Sequence, residues 1–235
     1  MTAEVAAARQ RAFSPGLEQS LVRIAAFEFV ATGFLLIAVV GSGIMAERLS
    51  AGNIAIALLA NAVATGGALV ALILAFGPQS GAHMNPVVTI AIAITDGLRW
   101  RAVLTYLIAQ ISGAIIGVWI AHLMFELPVL ELSQHIRTGP GQWIAEAVAT
   151  FGLLVVIWGC RAHHAPVTAF AVAAYITGAY WFTASTSFAN PAVTIARALT
   201  DTFAGIRPLD APGFVLCQIV GLFLALPMIR AMKAV

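Results

Sequence analysis

Apolar residues gather along this chain in long blocks separated by short polar breaks. A membrane-crossing helix needs roughly 20 mainly apolar residues. Six blocks meet that length, at 21–43, 53–76, 102–124, 142–160, 165–184 and 213–232. Between the second and third blocks, and again between the fifth and sixth, lies a shorter apolar segment, 86–95 and 191–200. Segments of about ten residues cannot cross hydrocarbon. The pattern predicts an all-α membrane protein with six transmembrane helices and two re-entrant half-helices.

The short segments are near copies. NPVVTIAIAITD (85–96) returns as NPAVTIARALTD (190–201), with nine of twelve positions identical. Flanking stretches also match, so Glu28 pairs with Glu146, Gln110 with Gln218 and Gly113 with Gly221. Three spans per copy is an odd number, so the second copy enters from the opposite side and the repeats are inverted. The chain divides into a segment 1–20, a first repeat 21–124, a connecting loop 125–141 and a second repeat 142–235.

Composition supports the bilayer. With 61% hydrophobic and 9% charged residues, the chain lacks the polar residues to cover a water-soluble globule. A formal charge of +2 without a basic stripe argues against nucleic acid as a partner. Basic residues gather on the cytoplasmic side. With both termini cytoplasmic, eight fall there (Arg9, Arg11, Arg23, Arg99, Arg101, Arg161, Arg230, Lys233) against Arg48, Arg137, Arg197 and Arg207 outside. Residues 1–20 then form a retained cytoplasmic segment and 125–141 an extracellular loop. Cys160 and Cys217 fall near opposite faces, too far apart to bridge.

Each half-helix opens with Asn-Pro, as an ordinary helix start does, because Asn caps and Pro suits the first position. Two such starts at corresponding places in two halves point further, to a site at the bilayer midplane where half-helix tips meet. Two positive dipole ends there oppose cations, while the Asn85 and Asn190 amides offer hydrogen bonds to a passing hydroxyl. Irregular backbone at this depth must line water or be buried in protein. A narrow pore for small neutral solutes satisfies both conditions.

These motifs, S-G-A-H-M-N-P (80–86), N-P-A (190–192), E-F-x-x-T (28–32) and A-Q-x-x-G-A (109–114), resemble those of the aquaporin/aquaglyceroporin, or major intrinsic protein, family over residues 20–232. The resemblance implies a passive channel, not an enzyme, with no cofactor or metal. It further implies a homotetramer in a bacterial inner membrane, and pore motifs at Asn85, Pro86, Val87 and at Asn190, Pro191, Ala192. Glu28, Glu146 and His83 would support the two loops.

Departures from the pattern bear on the solute. Val87 stands where the family has Ala, and Val193 stands where it usually has a charged Arg. Counting without gaps puts the rest of the outer constriction at Thr65, Gly178 and Ser187, a wide uncharged ring. By resemblance this favours a polyol, urea or a trihydroxy metalloid such as arsenous acid, besides water. Some bacterial relatives with an atypical constriction are associated with arsenic compounds, including methylated ones. An alternative keeps the channel water-selective, narrowed by Tyr180, Trp181, Phe182 or Phe188. The opposing reading turns those aromatics to lipid. Arg197, one turn beyond Val193, either tethers a loop or supplies a displaced guanidinium in the vestibule.

Two readings of another class remain. Glu28 or Glu146, as intramembrane carboxylates, would carry protons in a coupled carrier, and a closed pore would make the chain a structural membrane protein. A pH gate at His83 is a further option. His163 and His164 form an incomplete metal site. Gly113, Gly117 and Gly221 serve close helix packing. No nucleophile and base pair, phosphate loop or full ligand set is present, so no catalytic residue is assigned.

Overall fold

A computed structural model of the chain describes residues 17–161, 163 and 165–233. Arg9, Arg11 and His164 lie outside them. Eight helices make up the described fold: α1 (Leu17–Leu49), α2 (Ile54–Ser80), α3 (Pro86–Asp96), α4 (Trp100–Met124), α5 (Pro140–Cys160), α6 (Ala165–Phe182), α7 (Pro191–Arg197) and α8 (Ala211–Lys233). Five of them, α1, α2, α4, α5 and α8, are long and apolar enough to cross a bilayer. The fifth block gives α6, whose 18 residues reach about 27 Å at about 1.5 Å each, just under the ~30 Å hydrocarbon core.

Local chemistry sets the ends. The Asn53 side chain accepts from the Ile56 amide at 3.2 Å to start α2, and Gly81 ends it at φ 90°, the left-handed cap glycine suits. Pro140 opens α5 and Pro191 opens α7. α7 stops at Arg197, three residues before the 200 that the pattern predicts. There the Ala198 amide bonds back to the Ile195 and Ala196 carbonyls, and the Arg197 carbonyl turns to accept from the Ile206 amide at 3.2 Å.

The packing obeys an inverted pseudo-twofold. α1 lies against α4 and α2, as α5 lies against α8 and α6, and α2 meets α6 between the halves. α3 rests on α4 and on α8 of the other half; α7 rests on α8 and on α4. Close approach is possible because the crossings are built of glycine. A Cβ on Gly113 would strike the Phe29 carbonyl, one on Gly117 that of Gly33, and one on Gly221 that of Ala147. In lipid, where no hydrophobic drive joins helices, such contacts supply the cohesion. The outward faces carry Phe34, Ile108, Leu216 and Phe223, each more than half exposed, so the solvent they fit is hydrocarbon.

Candidate functional site

The loops before α3 and α7 share one backbone design. In the first, Ala82 and Met84 have φ 47° and 48°; in the second, Ser187 and Ala189 have φ 51° and 48°. These are the third and first residues before each Asn. A left-handed residue other than glycine costs about 1–2 kcal/mol, so something must hold each loop. Glu28, fully buried, accepts the His83 and Met84 amides at 2.9 and 2.8 Å, with Ser80 Oγ at 2.7 Å and Gln110 Nε2 at 2.8 Å. Glu146 accepts the Phe188 and Ala189 amides at 2.8 and 2.9 Å and Gln218 Nε2 at 2.6 Å. A hydrogen bond to a charged group contributes about 1.5–3 kcal/mol, enough for two amides per carboxylate to offset the strain.

The tips then lock to each other. Asn85 Nδ2 donates to the Ala189 carbonyl at 2.8 Å, and Asn190 Nδ2 donates to the Met84 carbonyl at 2.7 Å. Their Oδ1 atoms accept from Val87 at 3.0 Å and from Ala192 and Val193 at 3.0 and 3.3 Å. Each amide keeps a second N–H, and both asparagines border a cavity of about 910 Å³. One mouth of that lumen is framed by Asp96, Arg99 and Arg161. There Asp96 takes salt bridges from Arg161 at 2.6 Å and from Lys233, at the end of α8, at 2.7 Å.

At the other end the lumen wall includes Thr65, Tyr180, Ser187, Phe188, Val193 and Arg197. Thr65 Oγ1 and Tyr180 Oη hydrogen-bond at 3.2 Å, joining α2 to α6. Ser187 Oγ is buried without a partner. Gly178 is not in this wall; a Cβ there would meet the Phe182 ring at 3.6 Å. The reason is helical phase. α6 presents Val172, Ile176 and Tyr180 to the lumen, one turn apart, and position 178 is turned about 200° from 180. The gapless count therefore lands on the wrong face of α6. Of the four aromatics, Tyr180 and Phe188 are buried and border the lumen, whereas Trp181 and Phe182 are 49% and 59% exposed and turn outward.

Val87 is fully buried away from the lumen, packed among Leu154, Trp158 and Leu222. His83 is buried, stacked on Tyr106 with ring centroids 4.5 Å apart, its Nδ1 3.1 Å from Thr89 Oγ1. Arg197 donates from Nε to the Ala204 carbonyl and borders the lumen. Sequence reasoning passed over Tyr106, which stacks on His83, and Phe214, which meets Phe188 edge to face. Both stand four before a repeat glutamine, a spacing that identifies them. Arg137, in the 125–139 connection, reaches Phe188 without any signal in the repeat.

Residues 17–165 match the model of the family described as "Major intrinsic protein". The chain is 51% identical over 213 residues to "Aquaglyceroporin AqpS" of Rhizobium meliloti, covering 91% of both chains. It is 35% identical over 117 residues to the "Glycerol uptake facilitator protein" of Streptococcus pneumoniae, covering 43% of this chain and 50% of that one. Among solved structures, the aquaglyceroporin from Plasmodium falciparum superposes with a TM-score of 0.67 at 20% identity, covering 89% of this chain and 94% of that one.

Proposed function

Because the chain belongs to the major intrinsic protein family, we propose that it passes glycerol-type polyols and trihydroxy metalloids such as arsenous acid, methylated arsenicals included, together with water. The chain is a multi-pass membrane channel for small neutral solutes, and members of its family are channels rather than enzymes. The observation that carries the finer reading is the pair of asparagine tips bordering the lumen, each with one N–H committed to the opposite loop. The spare N–H groups receive a solute hydroxyl in single file, and the two helix N-termini oppose cations. Asn85 and Asn190 form that waist, on helix starts built of Pro86 and Val87 and of Pro191 and Ala192. Glu28, Glu146 and His83 hold its loops.

Thr65, Ser187 and Val193, with Tyr180 in place of Gly178, form the outer constriction. Valine at 193 leaves it without the family's usual charge and roomier for a three-carbon or methylated solute. The relatives named for glycerol support this reading. Both termini are cytoplasmic in a bacterial cell membrane. The bacterial relative supports the membrane, and the excess of basic residues around the Asp96 mouth supports the orientation. The homotetramer rests on family resemblance alone.

Stopped-flow light scattering on proteoliposomes tests the proposal. Glycerol, urea and arsenous acid are expected to enter faster than through protein-free vesicles, without response to an imposed proton gradient. Flux that follows the gradient would instead support a carrier, and no swelling with any solute a closed structural protein. The Thr65–Tyr180 bond in the lumen wall, which sets the Tyr180 ring beside the passage, favours one second reading, a water-selective channel. Water flux without glycerol flux would establish it.

A further inference from the structure

Position 193 lacks a guanidinium, yet two others reach the same ring of residues. Arg197, 2% exposed, lies over the Phe188 ring with Cζ 3.4 Å from its centroid. Its Nε is committed to Ala204. The terminal N–H groups, which form an end-on fork, have no protein acceptor among the described residues and border the lumen. Arg137 approaches the same ring at 5.3 Å, tied to the Gly205 carbonyl at 2.7 Å.

Neither guanidinium has a salt bridge among the described residues. The nearby Asp210 is spent on Arg207 Nη2 at 2.8 Å and on the Arg137 main-chain amide at 2.9 Å. Glu146 is occupied by the loop amides. Stacking on an aromatic face offsets part of the burial of a cation, but a buried charge without a hydrogen-bonded counterpart remains unfavourable. The vacant fork therefore calls for an oxygen from the lumen.

We propose that Arg197, reinforced by Arg137 through their shared Phe188, is a specificity-determining residue of this lumen that receives the acidic oxygen of small oxyacids and their anions. The fork fits a planar carboxylate in bidentate fashion. The charge sits one helical turn from the position the family uses, so Val193 leaves room beside it while cations are still repelled.

The inference rests on the channel reading and fails separately from it. Full-length protein in liposomes is assayed for glycerol uptake in sodium formate against sodium chloride at equal osmolarity and neutral pH. Formate is expected to slow uptake more than chloride. Relative to each variant's own uptake in chloride, Arg197→Gln is expected to raise the half-inhibiting formate concentration about tenfold and Arg137→Gln about threefold, while Arg197→Lys keeps part of the sensitivity. A chain without formate sensitivity, or equal sensitivity with Gln and Arg at 197, overturns the proposal. Should Arg197→Gln pass no glycerol, Arg137→Gln decides, and an unchanged value there overturns it. Absence of glycerol uptake by the unaltered chain would sink the glycerol-type reading of the channel instead.

Discussion

The two re-entrant loops are the same device turned over, and their differences are confined to the side chains that reach beyond the backbone. Glu28, Gln110 and Thr89 recur as Glu146, Gln218 and Thr194, with Gln110 Nε2 3.0 Å from Thr89 Oγ1 and Gln218 Nε2 2.8 Å from Thr194 Oγ1. Ser80 Oγ accepts the Ala82 amide, and Ser185 Oγ accepts the Ser187 amide, both at 3.2 Å. Two residues before Asn, however, the first loop places His83 on Tyr106, and the second places Phe188 against Phe214 and two arginines. Seven residues after Asn stands Ile92 in one half and Arg197 in the other. Past its asparagine the lumen wall of the first half carries Ile92 and meets charge at the mouth, in Asp96, Arg99 and Arg161, whereas that of the second carries Arg197 one turn beyond Val193. Repetition supplies the scaffold, and its breaks supply the chemistry.

If the carboxylates are equivalent, removing either should be equally severe. Glu28→Leu and Glu146→Leu each strip the two loop amides of their acceptor, a loss of about 3–5 kcal/mol for a broken buried charged network. Both are expected to reduce solute flux to the protein-free level and to lower the melting temperature in detergent by about 10 °C. Tolerance at one site alone would break the symmetry.

Charge placed at the mirror valines should separate the halves. Val193→Arg is expected to cut glycerol flux about tenfold while cutting water flux less, because the added side chain fills the wide end of the constriction. Val88→Arg, followed by Ile92 rather than Arg197, should lower both together in the same swelling assay. Equal loss of the two solutes in Val193→Arg would count against that position.

A smaller effect tests which face of α6 defines the opening. Tyr180→Ala is expected to raise uptake of three-carbon solutes about threefold, since it removes a ring that borders the lumen, whereas Gly178→Trp changes it less than about twofold. Blocked uptake in Gly178→Trp would restore the gapless count.

The smallest effect concerns pH at the end of the channel where Asp210 lies. Burial alone would raise the Asp210 carboxyl, but the hydrogen bonds from Arg207 and from the Arg137 amide outweigh it and hold it below the usual range. A depressed carboxyl contributes stability that is present above its unfolded value, about 3.9, and lost as pH falls through the folded one. Amide exchange of residues 133–139, corrected for intrinsic rate, should rise below about pH 4. Asp210→Asn should flatten that dependence.

The scaffold was legible because a duplicated motif states its geometry twice. Asn85 and Asn190, Glu28 and Glu146, and the small residues at the crossings announce themselves by offset alone. The constriction was less legible because it is assembled from elements far apart in sequence, whose helical phase no spacing reveals. Gly178 illustrates this: a two-residue difference in counting turns a side chain to the opposite face of α6, where Tyr180 borders the lumen. Arg137 was unreadable for another reason, since it reaches Phe188 from a connection that has no counterpart in either repeat.

The clasp of Asp96 by Lys233 ties the two ends of the polypeptide's history together. α3 is synthesised before the midpoint of the chain, yet it rests on α8 and is fastened by the last turn of that helix. While the ribosome is still working, this early stub has only α4 from its own half to lie upon. Its final seat arrives only once α8 has been made, so insertion cannot finish one half before the other, and without Lys233 the entrance would keep Arg161 as the partner of Asp96.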